Sequence, residues 1–222
     1  PRSTLFPYTT LFRSIITTSV AQQQLRKNEE VIIMPPRVKF SREEIIAAAL
    51  DIVRRGGMAA LTARSLAAEL GSSAKPVFGL FENMQEVQDE VVRAANAEYQ
   101  FFLRAEMMRG AYPPYKASGM AYIAFARKEK ELFKLLFMRD RTEEDLETED
   151  ESIDGIIALI SRNTGLSNED ARLFHLEMWI FVHGIATMIV TGYLDWEEEY
   201  VSRTLTDVYE GLKARWCGGN GK

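Results

Sequence analysis

The chain has 222 residues, 46% hydrophobic and 27% charged, with a net charge of −5. Those values are ordinary for a globular protein, and the acidic balance argues against a general nucleic-acid coat protein. Its one cysteine, Cys217, excludes a disulfide framework and a cysteine-based zinc site and fits a reducing cytoplasm.

Residues 1–33 offer no capped or periodic element. Thr4 to Ser14 resembles the in-frame translation of a sequencing-library adapter, and Glu29-Glu30-Val31 can be encoded as a purine-rich ribosome-binding signal ahead of Met34. Residues 1–33 are therefore expected to be a non-native leader, adapter-like sequence followed by an untranslated region. A natural arm is the alternative. No unbroken apolar run ending in a small-residue cleavage site marks a signal peptide.

Next comes a Pro-rich basic arm, Pro35-Pro36-Arg37-Val38-Lys39. Ser41 and Glu44 make a capping box, in which hydroxyl and carboxylate each take a free backbone amide. It opens a helix with Ile45, Ile46, Ala49, Leu50 and Val53 on one face, ended by Gly56-Gly57. Thr62 to Phe81 then predicts two short helices joined by a tight turn. Leu66, Ala67 and Leu70 form an apolar face, Gly71 stops that helix, and Ser72 or Ser73 opens the next. Pro76 falls in a first turn, where its missing N–H costs nothing. This is the build of a helix-turn-helix, whose second helix can lie in a DNA major groove. An αα-corner in a helical core fits the same pattern.

Charge favours the first reading. Residues 34–81 hold seven Lys/Arg against four acids, so +3, while residues 82–222 carry −10. A basic head on an acidic body turns the head toward phosphate.

Beyond the head the periodicity is helical throughout. Asn83 and Glu86 start a long helix from Met84 to Arg109, stopped by Gly110 and Pro113-Pro114. Helices are expected at Pro114–Lys128 and Lys130–Phe137. Asp140 to Glu151 holds eight acids in twelve residues and reads as a solvated loop, without the spacing of a calcium loop. Ile153, Ile156, Ile157 and Ile160 mark an amphipathic helix ended by Gly165. Ser167 and Asp170 cap the next, apolar on nearly every face from Met178 to Val190. Thirteen residues are too few to span a bilayer, so it is expected to be buried in protein on several sides. Asp195 and Glu198 are expected to cap the last helix, where Val201, Leu205, Val208, Leu212 and Trp216 recur at helical spacing.

The expected fold is all-α: a three-helix head (34–83), a larger helical effector-binding and dimerisation domain (84–216) and a flexible tail (217–222). The last two helices predict a four-helix interface with a second copy, through Ile185, Ile189, Val201, Leu205, Val208 and Leu212. Burial of the two helices within one chain is the alternative. Trp179 and His183 stand i, i+4, so a ligand could stack on one and hydrogen-bond the other, with Tyr122, Phe125 and Phe137 lining an apolar pocket. A packed helical core uses the same residues. His175 lies eight residues before His183, and without a third ligand it makes no metal site. No G-x-G-x-x-G, P-loop, H-E-x-x-H or G-x-S-x-G pattern occurs, and no nucleophile–base constellation points to an enzyme or a cofactor.

Gly57, Thr62, Leu66, Ala67, Leu70, Gly71, Ser73, Phe78 and Phe81 stand where the tetracycline-repressor (TetR) family of bacterial regulators has its N-terminal pattern, and residues 37 to about 95 resemble it. The resemblance implies that Thr62, Ser65, Ser73, Lys75 and Phe78 face DNA. Gly79, Leu80 and Met84 stand where the family commonly has polar or basic residues. Lys75 and the basic charges Arg37, Lys39 and Arg42 then carry more of the phosphate contact, and Ser73, Ala74 and Phe78 more of the specificity.

Trp179, His183 and Gly184, with Tyr122 to Phe137 upstream, resemble a Trp-His-Gly type of C-terminal ligand-binding domain in that family. The implied protein is a cytoplasmic homodimeric repressor, released from a palindromic operator by a small, mostly apolar effector and not acting at a membrane. An all-α ligand carrier that has lost sequence-specific DNA binding is the alternative.

Overall fold

Ser41 opens the first helix with the reciprocal cap its spacing predicts: the Glu44 amide donates to Ser41 Oγ at 3.1 Å, and the Ser41 amide donates to Glu44 Oε2 at 2.7 Å. The computed structural model describes residues 40–140 and 150–218, and among these it is built from eight α-helices and no strand. The expected leader, the arm with Arg37 and Lys39, and most of the acidic stretch lie outside the described residues.

Helix α1 (Arg42–Gly56) buries Ile45, Ala49, Leu50, Ile52 and Val53. A 3-10 turn at Met58–Ala60 leads to Thr62, which caps α2 (Ala63–Glu69). Gly71, at φ 57, closes α2 in a left-handed cap: its own amide bonds to Ala68 O at 3.0 Å and the Ser72 amide to Ala67 O at 2.9 Å.

The second helix expected in the head does not form. Residues 75–80 are a run of hydrogen-bonded turns, not a regular helix. The Val77 and Leu80 amides reach back three residues and the Phe78, Gly79 and Phe81 amides four. The break in the i→i−4 ladder falls at Leu80, whose amide bonds to Val77 O and not to Pro76 O, just after Gly79, a residue that disfavours helix. Val77 and Phe81 nonetheless point into the core, fully or almost fully buried.

Helix α3 (Met84–Arg109), capped by Asn83 and stopped at left-handed Gly110, extends about 39 Å. Its Val87, Val91 and Ala95 pack with the head, and its later turns lie along α4 (Pro114–Lys128). Then come α5 (Lys130–Phe137), α6 (Asp150–Thr164), α7 (Asn168–Val190) and α8 (Glu198–Gly218). One continuous core runs from Ile45, Leu66 and Phe81 through Val87 to Phe125, Phe133, Ile185 and Leu205. A second, formed by Ile157, Ile160, Ala171, Phe174 and Met178, closes the far end of the body under Val208, Leu212 and Trp216.

Two expectations about the C-terminal helices are corrected. Ile185, Ile189, Val201 and Leu205 are buried in the chain's own core, so they cannot form an outer surface; Val208 and Leu212 are half-buried over the second core. Asp195 does not cap α8: its carboxylate accepts from Arg127 Nη1 at 2.8 Å, and the helix begins at Glu198. Helix α7 starts at the expected Ser167 cap and runs 23 residues, so by length and composition alone the whole helix, unlike its apolar stretch of thirteen, could cross a membrane. In this fold its buried side packs on α4 and α6.

Candidate functional site

Two surfaces emerge, one on the head and one in the body. On the head, Ser73, Lys75, Phe78 and Gly79 are exposed and Ala74 is half-buried, while Val77 and Phe81 anchor the segment from within. Phe78 is 46% exposed, unusual for a large apolar ring. Lys75 and Arg64 form no ion pair among the described residues, so both charges are open to an anion. Arg64 did not stand out in the sequence; its exposure on α2 is what singles it out. A Cβ at Gly79 would meet Pro76 O at 3.4 Å, an ordinary contact, so no steric demand excludes a side chain there.

Thr62 and Ser65, at the start of α2, have hydroxyls engaged with each other and with backbone. The Ser65 amide donates to Thr62 Oγ1 at 3.0 Å, and Ser65 Oγ donates to Ala60 O at 2.7 Å. Arg42 is engaged too. Its guanidinium donates to Leu80 O at 2.8 Å, Glu86 Oε1 at 2.6 Å and Glu90 Oε1 at 2.9 Å, and lies 4.2 Å from the Phe81 ring centre.

In the body, α3, α4, α5 and α7 converge on a cluster of rings. Tyr122 and Phe125 come from α4, Phe133 and Phe137 from α5, Tyr99 and Phe102 from α3. Phe137 touches Tyr122 at 4.8 Å and Tyr99 at 5.2 Å between ring centres. His183 stacks on Trp179 at 5.0 Å and 15°, and faces Phe133 at 6.1 Å and 26°. Trp179, Tyr122, Phe125, Phe137 and His183 thus meet in one cluster, packed ring against ring. Burial raises the Tyr122 pKa and lowers that of His183. The Tyr122 hydroxyl therefore stays protonated and the imidazole neutral, and the two share a hydrogen bond of 2.9 Å at His183 Nδ1.

Trp179 is 43% exposed at the edge of this cluster. Next to it runs an apolar stripe on α7: Leu173, Leu176, Ile180 and Met188, all exposed, with open space where a Cβ would stand at Gly184. Among the described residues no three His, Cys, Asp or Glu side chains converge as a metal site.

Comparison with known proteins bears on both halves. Residues 115–209 match the family model described as tetracyclin repressor-like, C-terminal domain. The fold is similar to that of a TetR-like transcriptional regulator from Rhodococcus sp. RHA1, at 16% identity and a TM-score of 0.56, over 82% of this chain and 100% of that one. It is also similar to a member of the TetR family from Streptomyces coelicolor A3, at 19% identity and a TM-score of 0.52, over 78% of this chain and 98% of that one. No curated protein matches. The matched domain covers the α4, α5 and α7 members of the ring cluster but not Tyr99 and Phe102 of α3, and the structural likeness extends over most of the chain. This chain therefore carries the C-terminal domain and the fold of the TetR-like transcriptional regulators.

Proposed function

We propose that this chain is a cytoplasmic, homodimeric repressor that binds a palindromic operator and leaves it when a small, mostly apolar effector enters the ring cluster. The observation that carries the reading is the head surface. Exposed Ser73, Lys75 and Phe78 ride on buried Val77 and Phe81, and Arg64 on α2 of the same head is also exposed. Such a surface offers phosphate contacts from Lys75 and Arg64 and an apolar contact from Phe78, suited to a thymine methyl. In this reading residues 34–83 form the head, 84–216 the body and 217–222 a tail, with 1–33 outside both.

The second copy docks on the exposed α7 stripe, with Gly184 allowing close approach of the facing helix. Head and body share one core, so a change in the ring cluster reaches the head through packed side chains. The effector acts by population shift, favouring a separation of the two reading segments that misses successive major grooves.

The test is selection of duplexes from a random-sequence pool by the purified protein. Enrichment of a palindrome whose half-sites lie about one helical turn apart supports the reading. Enrichment of no sequence, together with binding of apolar ligands, supports the carrier instead.

A further inference from the structure

Arg42 belongs by sequence to the basic run at the start of the head, where a phosphate contact is the obvious assignment. Its surroundings assign it other work. One nitrogen holds Leu80 O, where the run of turns at 75–80 stops, and the other bridges Glu86 and Glu90 on the first turns of α3. The guanidinium plane covers Phe81, the buried anchor of the same segment. Glu86 in turn accepts from the Glu82 amide at 2.7 Å, which ties down the connection from Phe81 to α3. A segment without a regular helical ladder depends on such outside bonds for its orientation. Arg42 supplies them across 38 to 48 residues of sequence.

We propose that Arg42 is the positioning residue of the DNA-reading segment, holding Leu80 and Phe81 against α3, and not a ligand of phosphate. The proposal rests on the DNA-binding reading above. It turns on the difference between charge and geometry. A lysine keeps the charge but cannot present three directed bonds and a flat face over Phe81. A phosphate ligand contributes about one unit to the dependence of log affinity on log salt, and a positioning residue contributes none.

The experiment uses the full chain and two duplexes: one enriched by the wild type from a random pool and a scrambled control. Affinities of wild type, Arg42→Met and Arg42→Lys are measured at several salt concentrations, with thermal melts alongside. Both variants are expected to bind the selected duplex at least tenfold more weakly, with the wild-type salt slope and reduced preference over the scrambled duplex. If Arg42→Met fails to fold, Arg42→Lys decides by the same readings. A slope smaller by about one in Arg42→Met, with affinity restored in Arg42→Lys, overturns the proposal in favour of phosphate contact. Wild-type affinity and preference in both variants also overturn it. If the wild type enriches no sequence, the DNA-binding reading fails and this role falls with it.

Discussion

The Tyr122 hydroxyl lies 2.9 Å from His183 Nδ1, and two turns away on the same pair of helices Tyr115 and His175 repeat the contact at 3.0 Å. Both rungs join α4 to α7. Burial lowers both imidazole pKa values and raises those of both phenols, so each rung joins a protonated phenol to a neutral imidazole.

Stability should therefore fall as pH drops below about 6.5, the unfolded value of histidine. The folded histidines bind protons less readily, so acid favours the unfolded chain, and their contribution is lost as pH falls through the lower folded values. Carboxylates also respond in this range, so the comparison isolates the imidazoles. His183→Asn, which keeps an uncharged hydrogen-bonding group near Nδ1, should show a shallower decline in Tm between pH 7.5 and 5.5 than the wild type. Parallel curves would show that His183 is not protonated over that range.

Opposite faces of α7 should respond differently to charge. Ile180 is 57% exposed on the stripe proposed to meet a second copy, whereas Ile185 is buried. Ile180→Glu should give a folded monomer in sedimentation, because an unpaired carboxylate in an apolar interface costs several kcal/mol and each 1.4 kcal/mol is tenfold in dissociation constant. Ile185→Asp should unfold the chain. A dimer that persists in Ile180→Glu would place the interface elsewhere.

Lys75 and Gly79 probe the reading segment by charge. Lys75→Ala should weaken binding to all sequences about equally and lower the salt slope by about 1. Gly79→Lys should fold, since a Cβ there has ordinary clearance, and should raise the slope by about 1. Filter binding across a salt series reads both changes; two unmoved slopes would mean that this surface does not meet phosphate.

Arg54 joins the head to the body. Its guanidinium pairs with Asp51 at 2.6 Å and Glu129 at 2.8 Å, and lies 3.7 Å from Glu98. Breaking a fully buried pair costs about 3–5 kcal/mol. Arg54 is about a third exposed, so Arg54→Met should cost less, about 1–2 kcal/mol in urea unfolding. Glu129→Gln added to it should recover part of the loss, because the carboxylate stranded by the first change is gone.

Most helix boundaries were legible in the sequence because they are local chemistry. Ser41 with Glu44, Asn83 before α3 and Ser167 with Asp170 each act within one turn, and the structure keeps all three caps. Asp195 was misread because Arg127, 68 residues away, claims its carboxylate. The irregular run at 75–80 carried its own signal in Gly79, but whether packing restores a helix there depends on the tertiary environment. The five ring-cluster candidates could be named from composition and spacing, whereas their stacking order, Trp179 on His183 and His183 facing Phe133, depends on how α5 lies against α7.

By itself the sequence determined that the chain is all-helical, where most helices start and stop, and that a short basic head precedes an acidic body. Tertiary structure alone decided which side of α7 is core. A helix apolar all round has no preferred side, so Ile185 and Ile180 are equivalent until α4 packs against one of them. It also decided that Arg42 faces Leu80, Glu86 and Glu90, since a charge at a helix start reads the same in sequence whether its partner is phosphate or a carboxylate 44 residues on.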